Sequence, residues 1–270
     1  MPFPYKKVVV IGATSGIGEA LAKRLVEDGS SVVAVGRRKE NLEALVQQYG
    51  YEKVQAVPFD ITDLESIPNF ATNITDAHPD VDCIILNSGI QRKSDFRNPG
   101  SIDVDVLNLE FTTNYLSQLA LTKAFLPFLQ KRDAESALIF VTSQLALVPM
   151  PICANYCASK AGLHQFILCL RQQLKGFKIK VVELIPPAVQ TELHDEKHQP
   201  HIKNGKSIGM PLDEFTEKAY AGLASGREQV PIGTAERAFD ALEPTRQEMF
   251  TQLMKAMSSI PQMTNGTVQL

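Results

Sequence analysis

The sequence predicts an α/β fold in which helices cover both faces of a doubly wound parallel sheet. Short runs of β-branched residues alternate with longer amphipathic stretches along most of the chain. Most of the short runs are apolar throughout, as strands buried on both faces are. The first run ends in a cluster of glycines, where a strand of such a sheet turns into its first helix.

The individual elements follow from these patterns in chain order. We expect strands over residues 8–11, 31–35, 53–58, 83–86, 137–141 and 180–184. We expect helices over about 17–28, 38–48, 62–77, 103–131, 155–176 and 234–257. The 103–131 stretch is apolar around most of its circumference. This predicts a second covering surface, and hence a homodimer or a homotetramer.

The chain is predicted to form one domain over residues 1–270. After residue 184 the pattern loosens into a polar segment, and we expect a substrate-binding loop or lid at about 192–225. Residues at about 258–270 are expected to form a flexible tail. The polar segment carries His194, His198 and His201, but nothing in the sequence orients them toward a metal. We therefore interpret it as a solvated loop and predict no metal site.

Composition limits the classes of partner. A net charge of −3 gives no basic surface for nucleic acid or for an anionic membrane, which leaves small molecules. No apolar run reaches membrane-spanning length, and the N-terminal run is too short for a signal peptide, so we expect a cytoplasmic protein. Four cysteines are too few and too irregularly spaced for a disulfide framework. Cys153 and Cys157 are interpreted as small buried residues rather than metal ligands.

The glycine-rich turn GATSGIG, residues 12–18, predicts a dinucleotide site. Glycines at a strand-to-helix turn let the backbone bend sharply and let a pyrophosphate approach the unpaired amides of the helix. A plain tight turn is the alternative. The candidate contacts are the residues of this turn, Gly12, Thr14, Ser15, Gly16, Ile17 and Gly18.

The end of the second strand indicates which dinucleotide binds. In NAD(H) sites an acidic residue about twenty positions beyond the glycines holds the adenosine ribose hydroxyls. This chain has Gly36, Arg37 and Arg38 there, and guanidinium groups suit a phosphate. We therefore predict NADP(H), with Arg37 as the main contact. The alternative is that both arginines belong to a solvated helix start.

A tyrosine and a lysine four residues apart, in NYCASKAG at 155–162, form a candidate chemical pair. Tyr156 and Lys160 lie on the same face of the predicted helix, within reach of each other. Because an ammonium favours the phenolate, Lys160 is expected to lower the pKa of Tyr156 and so to make it a general acid and base. The alternative is an ordinary helix in which the ring lies under a solvated ammonium.

Taken together, these motifs resemble the short-chain dehydrogenase/reductase family over roughly residues 5–192, and the resemblance implies a Rossmann-type fold. The other similar segments are FDIT at 59–62, LNSG at 86–89, TTNYL at 112–116, VTSQ at 141–144 and PPAVQT at 186–191. Leu86, Ser88 and Pro187 depart from the family pattern. The motifs are most similar to those of a subgroup related to dehydrogenases of bacterial D-alanylation operons.

The resemblance implies roles for individual residues. It makes Asn114, Ser143, Tyr156 and Lys160 the catalytic residues. It adds cofactor contacts at Asp60, Ile61, Asn87, Gly89, Tyr156, Lys160, Pro186, Val189 and Thr191. It also implies that Ser143 donates a hydrogen bond to the substrate oxygen, that Lys160 holds the nicotinamide ribose, and that Asn114 anchors a water between Lys160 and solvent.

The activity implied by the resemblance is NADP(H)-dependent reduction of a ketone or aldehyde, or oxidation of the secondary alcohol. Mostly apolar residues between the serine and the tyrosine predict a moderately hydrophobic substrate, in a pocket that includes Gln144, Leu145, Pro149 and Cys153. Two alternatives stay open. One is a protein that senses NADP(H) without turnover, against which the intact catalytic set speaks. The other is a reductase of an imine or a conjugated bond.

Overall fold

Within residues 2–258, the part of the chain that the computed structural model describes, seven parallel strands form one sheet in the order β3-β2-β1-β4-β5-β6-β7. The strands are β1 (Lys7–Ile11), β2 (Ser31–Gly36), β3 (Val54–Pro58), β4 (Cys83–Leu86), β5 (Ser136–Val141), β6 (Ile179–Ile185) and β7 (Gln229–Pro231). β1, β4 and β5 are buried at every position, as their apolar sequences require. The predicted tail lies outside the described residues, except for Ser258.

Helices cover both faces of the sheet. They are α1 (Gly16–Glu27), α2 (Lys39–Tyr49), α3 (Ile67–Ala77), α4 (Val104–Phe111), α5 (Ser117–Lys131), α6 (Ala154–Gln173), α7 (Leu212–Ala224) and α8 (Thr234–Ser258). α1, α2 and α7 pack on one face, and α3, α5 and α6 pack on the other. The fold class is therefore the predicted one, a single doubly wound α/β domain. None of the helices in the described part of the chain has both the length and the hydropathy needed to cross a bilayer.

Each helical layer buries an apolar stripe against the sheet. Leu21 of α1 and Phe215 of α7 enter the core on one face. Phe125 of α5 and Ile167 of α6 enter the core on the other. Fully burying side chains of this size contributes about 1.5–3 kcal/mol each. The two cores thus hold the strands rigidly, and the strand ends that build the site are held with them.

The elements differ from the prediction at several places. α3 begins at Ile67 rather than at 62, because the side chain of Asp60 holds the amide and hydroxyl of Thr62 in a turn and Pro68 fits a first helical turn. A π turn, Thr112–Leu116, divides the helix predicted over 103–131. β7 was not predicted from the sequence, because its three residues are too few to show a periodicity.

The segment after β6 is irregular only in its first half. Residues up to 211 contain two short 3₁₀ turns, Glu192–His194 and Gly205–Ser207. The second half of the predicted lid range is instead α7. Its residues Phe215, Ala219 and Leu223 recur at four-residue spacing and are buried against α1 and the sheet. The predicted lid of 192–225 is therefore shortened to about 192–211.

Apolar side chains stay exposed along α4 and the π turn. Val104, Leu109 and Leu116 are 62%, 45% and 40% exposed. In contrast, Leu121 and Phe125 of α5, which belong to the same predicted 103–131 helix, are fully buried. The chain thus covers one side of this stretch itself and leaves apolar surface on the other, the feature from which the sequence predicts a second subunit.

Candidate active site

A cavity of about 670 Å³ opens at the carboxyl ends of the strands, where the strand order reverses between β1 and β4. Among the predicted pocket residues, Gln144 and Leu145 line it, whereas Pro149 is exposed to solvent and Cys153 is buried against Tyr156. Gly18 does not line it. The predicted cofactor contacts that do are Gly12, Thr14, Ser15, Gly16, Ile17, Arg37, Arg38, Asp60, Ile61, Asn87, Gly89, Tyr156, Lys160, Pro186, Val189 and Thr191.

The glycine turn brings the end of β1 against the start of α1. Gly12 and Gly16 have φ angles of 92° and 54°, a left-handed region that favours glycine. A β-carbon on Gly18 would lie 2.1 Å from the carbonyl oxygen of Gly12 and 2.4 Å from Nδ2 of Asn87. The side chain of Ser15 does not cap α1. The first amides of the helix are therefore left at the cavity edge, an arrangement that suits a pyrophosphate.

Both predicted arginines lie at the end of the cavity beside β2. Nη1 of Arg37 lies 3.6 Å from Oδ2 of Asp60. Arg38 donates from Nη1 to Oε2 of Glu192 at 2.7 Å, and from Nε to Oγ1 of Thr14 at 3.3 Å. The hydrogen bond from Arg38 holds the pKa of Glu192 below its usual value. Asp60 and Glu192 thus hold two guanidinium groups at this end of the cavity, and paired guanidinium donors match the oxygens of a phosphate group.

The predicted catalytic pair lies elsewhere in the cavity wall, on the first turns of α6. Tyr156 and Lys160 are both nearly buried, and Nζ of Lys160 lies 5.9 Å from the centroid of the tyrosine ring. Nζ donates to the carbonyl oxygen of Val141 at 2.9 Å, which ties the lysine to the end of β5. Ser143 follows β5 and hydrogen bonds to the Tyr156 hydroxyl. Its Oγ also accepts the amide of Leu145 at 3.1 Å, which fixes its position.

The pKa of Tyr156 moves in the direction opposite to the predicted one. Burial raises the pKa of Tyr156, and the hydrogen bond from Ser143 opposes this rise only in part. Burial also lowers the pKa of Lys160 to about 8, against the field of Glu183. The buried phenol therefore keeps its proton at neutral pH, and Lys160 is the member of the pair that titrates nearer to neutrality.

Asn114 lies in the π turn, beside the same pair. Its Oδ1 accepts the amide of Ile90 at 2.8 Å, and its Nδ2 donates to the carbonyl oxygen of Ile90 at 2.8 Å and to Oγ of Ser159 at 3.1 Å. A β-carbon on Gly89 would lie 3.4 Å from both Oδ1 of Asn114 and Nζ of Lys160. The predicted catalytic residues therefore come together in space, although Asn114 itself stands behind the cavity wall.

Comparison with protein families matches residues 6–201 to the short chain dehydrogenase family. The chain belongs to this family. Among its relatives, the uncharacterized oxidoreductase DltE of Bacillus subtilis is 32% identical over 248 residues, which are 91% of this chain and 95% of DltE. This similarity confirms the subgroup of D-alanylation operon dehydrogenases that the motifs indicated.

Two further proteins extend the comparison of this short chain dehydrogenase. An NADPH-dependent 1-acyldihydroxyacetone phosphate reductase of Saccharomyces cerevisiae is 29% identical over 197 residues, which are 73% of this chain and 65% of the yeast protein. The crystal structure of a short chain dehydrogenase of Burkholderia cenocepacia in complex with NADP is 26% identical, with a TM-score of 0.75. That alignment covers 94% of this chain and 99% of the other.

The dehydrogenase cavity also contains polar residues that sequence reasoning missed. Gln91 donates from Nε2 to Sγ of Cys153 at 3.4 Å and accepts Nε2 of Gln199 from the loop after β6 at 3.0 Å. Arg92 and Glu192 line the cavity too. The polar run QRK at 91–93, in the loop that follows β4, was an available signal for Gln91 and Arg92. Glu192 had no such sequence signal, because it lies 154 positions from Arg38 in the chain.

Two thiols of the dehydrogenase pack against Tyr156. The sulfur atoms of Cys153 and Cys157 are 3.9 Å apart. The contact between the two thiols lowers the pKa of Cys157, with burial opposing it. All four cysteines of the chain are free thiols. Within residues 2–258, no group of three or more His, Cys, Asp or Glu side chains is placed to hold a metal ion.

Proposed function

We propose that the protein is an NADP(H)-dependent oxidoreductase that reduces a ketone or aldehyde, or oxidises the corresponding secondary alcohol. One observation carries the proposal. A single cavity has a serine hydroxyl, a buried phenol and a lysine ammonium in one part of its wall, namely Ser143, Tyr156 and Lys160, and two guanidinium groups in another. The first set can protonate a carbonyl oxygen, and the second can hold a phosphate.

The nicotinamide, when bound, supplies the hydride to the carbonyl carbon or takes it from the alcohol carbon. The residues of the chain handle the proton. The Tyr156 hydroxyl, kept protonated by burial, donates its proton to the substrate oxygen in the reduction direction. Ser143 donates a hydrogen bond to the same oxygen, where negative charge develops. The Lys160 ammonium stabilises the phenolate that remains, and Asn114 lies beside it to order a water that returns the proton.

Several features favour NADP(H) as the cofactor. The left-handed Gly12 and Gly16 and the close approach of α1 to β1 at Gly18 suit a pyrophosphate at the start of α1. The guanidinium groups of Arg37 and Arg38 fit a 2′-phosphate at the end of β2. The Burkholderia cenocepacia structure holds NADP, and the yeast relative is named as NADPH-dependent. The chemistry of the site and the relatives thus point to the same cofactor.

The function is tested by measuring NADPH consumption across a panel of ketones, aldehydes, imines and conjugated carbonyl compounds. We expect turnover of a moderately hydrophobic ketone or aldehyde, with the alcohol as product. NADPH binding without turnover on any compound would favour the sensing protein instead. An amine product would show that the protein reduces an imine, and a product with a saturated carbon–carbon bond would show that it reduces a conjugated bond.

The cofactor preference is tested with the double variant Arg37→Ala and Arg38→Ala. The wild-type protein should use NADPH with a kcat/KM at least about tenfold above that for NADH, because hydrogen bonds to charged groups contribute about 1.5–3 kcal/mol each. The double variant should lose that preference. Arg97→Ala is the control, because this exposed guanidinium pairs only locally with Asp95. Equal efficiencies with both cofactors in the wild type would rule the preference out.

We propose that the protein forms a homodimer or homotetramer in the cytoplasm. The exposed apolar residues Val104, Leu109 and Leu116 support a second subunit. Light scattering at micromolar concentration should give at least twice the chain mass of 29.7 kDa. A monomeric mass would refute the assembly.

A further inference from the structure

A carboxylate is buried on β6, the strand next to the edge of the sheet, close to the catalytic lysine. Glu183 belongs to β6 and is 0% exposed. Its Oε1 accepts the hydroxyl of Thr142 at 2.7 Å, and both its oxygens lie within 3.0 Å of Nδ1 of His164. Its Oε2 accepts Nε2 of Gln229 at 3.2 Å. A fully buried strand position seldom carries a charge, so a specific role has to offset the cost of burying it.

The cluster continues from the sheet to α8. Nε2 of His164 lies 3.2 Å from Oε1 of Glu243, close enough for an ion pair although the angles are not those of a hydrogen bond. Both side chains are 0% exposed. Burial lowers the pKa of His164, but the carboxylates of Glu183 and Glu243 outweigh it and raise this pKa to about 9. The histidine is therefore charged at neutral pH and lies between two buried carboxylates.

The cluster is connected to the catalytic lysine by short steps. Lys160 and His164 are one helical turn apart on the same face of α6. The Lys160 ammonium donates to the carbonyl oxygen of Val141, and the next residue, Thr142, donates to Glu183. Glu183 is therefore linked to the lysine through neighbouring residues of β5 and α6, and it does not line the cavity.

Two arginines border the cluster from α6 and α8, and both are partly exposed. Arg171 of α6 donates to the carbonyl oxygen of Val181 and lies 3.2 Å from Oε2 of Glu228, which is exposed. Arg246 of α8 lies 3.3 Å from Oε1 of Glu243 and is partly exposed. These guanidinium groups reach solvent, so they change the charge balance at Lys160 less than Glu183 does.

We propose that Glu183 is a positioning residue that acts through Lys160: its buried carboxylate keeps the lysine ammonium charged where it faces Tyr156. His164 and Arg246 both pair with Glu243, and Glu183, which shares His164 with it, favours a protonated Lys160 through its field. In a low-dielectric interior an uncompensated charge is costly, so the cluster favours the charged lysine. This inference rests on the proposed function, in which the ammonium stabilises the phenolate of Tyr156.

The test compares Glu183→Gln with Glu243→Gln. Both changes keep the size of the side chain and remove one buried negative charge, but Glu243 reaches Lys160 only by way of His164. The protonation of Lys160 is read directly by competitive acetylation with acetic anhydride from neutral to alkaline pH, with mass spectrometry of the peptide that carries it. In Glu183→Gln the titration of Lys160 should move to lower pH by about one unit, the size of a single opposite-charge effect.

The alkaline limb of the pH profile of kcat/KM should move to lower pH with it, because a charged lysine is lost earlier as pH rises. Glu243→Gln should shift both readouts less. Unchanged titration of Lys160 in Glu183→Gln, or equal shifts in the two variants, would overturn the proposal. Lower thermal stability in both variants, with an unchanged titration of Lys160, would also overturn it, because the cluster would then serve only to hold α8 against the rest of the fold. If the wild type turns over no substrate, the proposed function fails, while the acetylation still decides the charge of Lys160.

Discussion

Replacing Tyr156 with phenylalanine is expected to lower kcat/KM by about two to four orders of magnitude, the usual contribution of a positioned proton donor. The ring itself should stay in place, because it packs against Cys153, Cys157 and Leu145 and phenylalanine keeps those contacts. NADPH should therefore bind with nearly the wild-type Kd. Steady-state NADPH consumption measures the first effect, and fluorescence titration with NADPH measures the second.

Tyr49→Phe is the matched control for this change. Tyr49 donates its hydroxyl to Glu27 in an exposed contact between α2 and α1, far from the cavity lining. Its loss should leave kcat/KM unchanged. If Tyr156→Phe kept activity within about tenfold of the wild type, the phenol would not be the proton donor, and the mechanism would have to be abandoned.

Gly18→Ala is expected to have the second large effect, on both stability and cofactor affinity. The new methyl group would lie 2.1 Å from the carbonyl oxygen of Gly12, a backbone atom that cannot move without displacing the whole glycine turn. Overpacking of this kind costs about 1–3 kcal/mol. The shift of the turn should also weaken NADPH binding by at least about tenfold, since the amides at the start of α1 move with it.

The melting temperature and an NADPH titration measure the two effects of Gly18→Ala. Gly100→Ala is a suitable control, because the nearest atom to its new β-carbon is Oδ1 of Asn98 at 3.9 Å. This control should match the wild type in both measurements. A Gly18→Ala protein with unchanged melting temperature and unchanged NADPH affinity would show that the close approach of α1 to β1 is not needed.

Much of the fold could be predicted because its signals are local. The apolar runs of β1 and β4 and the stripe of α6 are each written in consecutive residues, so periodicity finds them. β7 has no such signal. Its three residues become a strand because Glu183, Leu184 and Ile185 of β6 offer a neighbouring edge, which is a tertiary effect. α7 was missed for a different reason: its apolar spacing is local, but the polar beginning of the segment dominated the prediction.

The site residues likewise divide into those with a local sequence signal and those that depend on tertiary contacts. Spacing within one helix sufficed to pair Tyr156 with Lys160. Glu192 could not be found, because its contact with Arg38 depends on how the loop after β6 folds back across the cavity. The direction of the Tyr156 pKa was also beyond the sequence, because it depends on the depth of burial, and burial outweighs the other influences on this phenol.

The π turn has one further consequence for how α4 and α5 serve the molecule. An inserted residue rotates everything beyond it by about 100° around the helix axis. In an uninterrupted helix, the amide of Asn114 and the row formed by Leu121, Phe125 and Leu129 would keep a fixed angular offset set by their spacing. The wider turn changes that offset. The Asn114 amide can therefore reach Ile90 while the row of Leu121, Phe125 and Leu129 packs onto the sheet. Deleting one residue from the π turn would restore the regular offset, so the contact of Asn114 with Ile90 and the packing of α5 on the sheet could not both form. The widened turn lets one continuous helical segment make both.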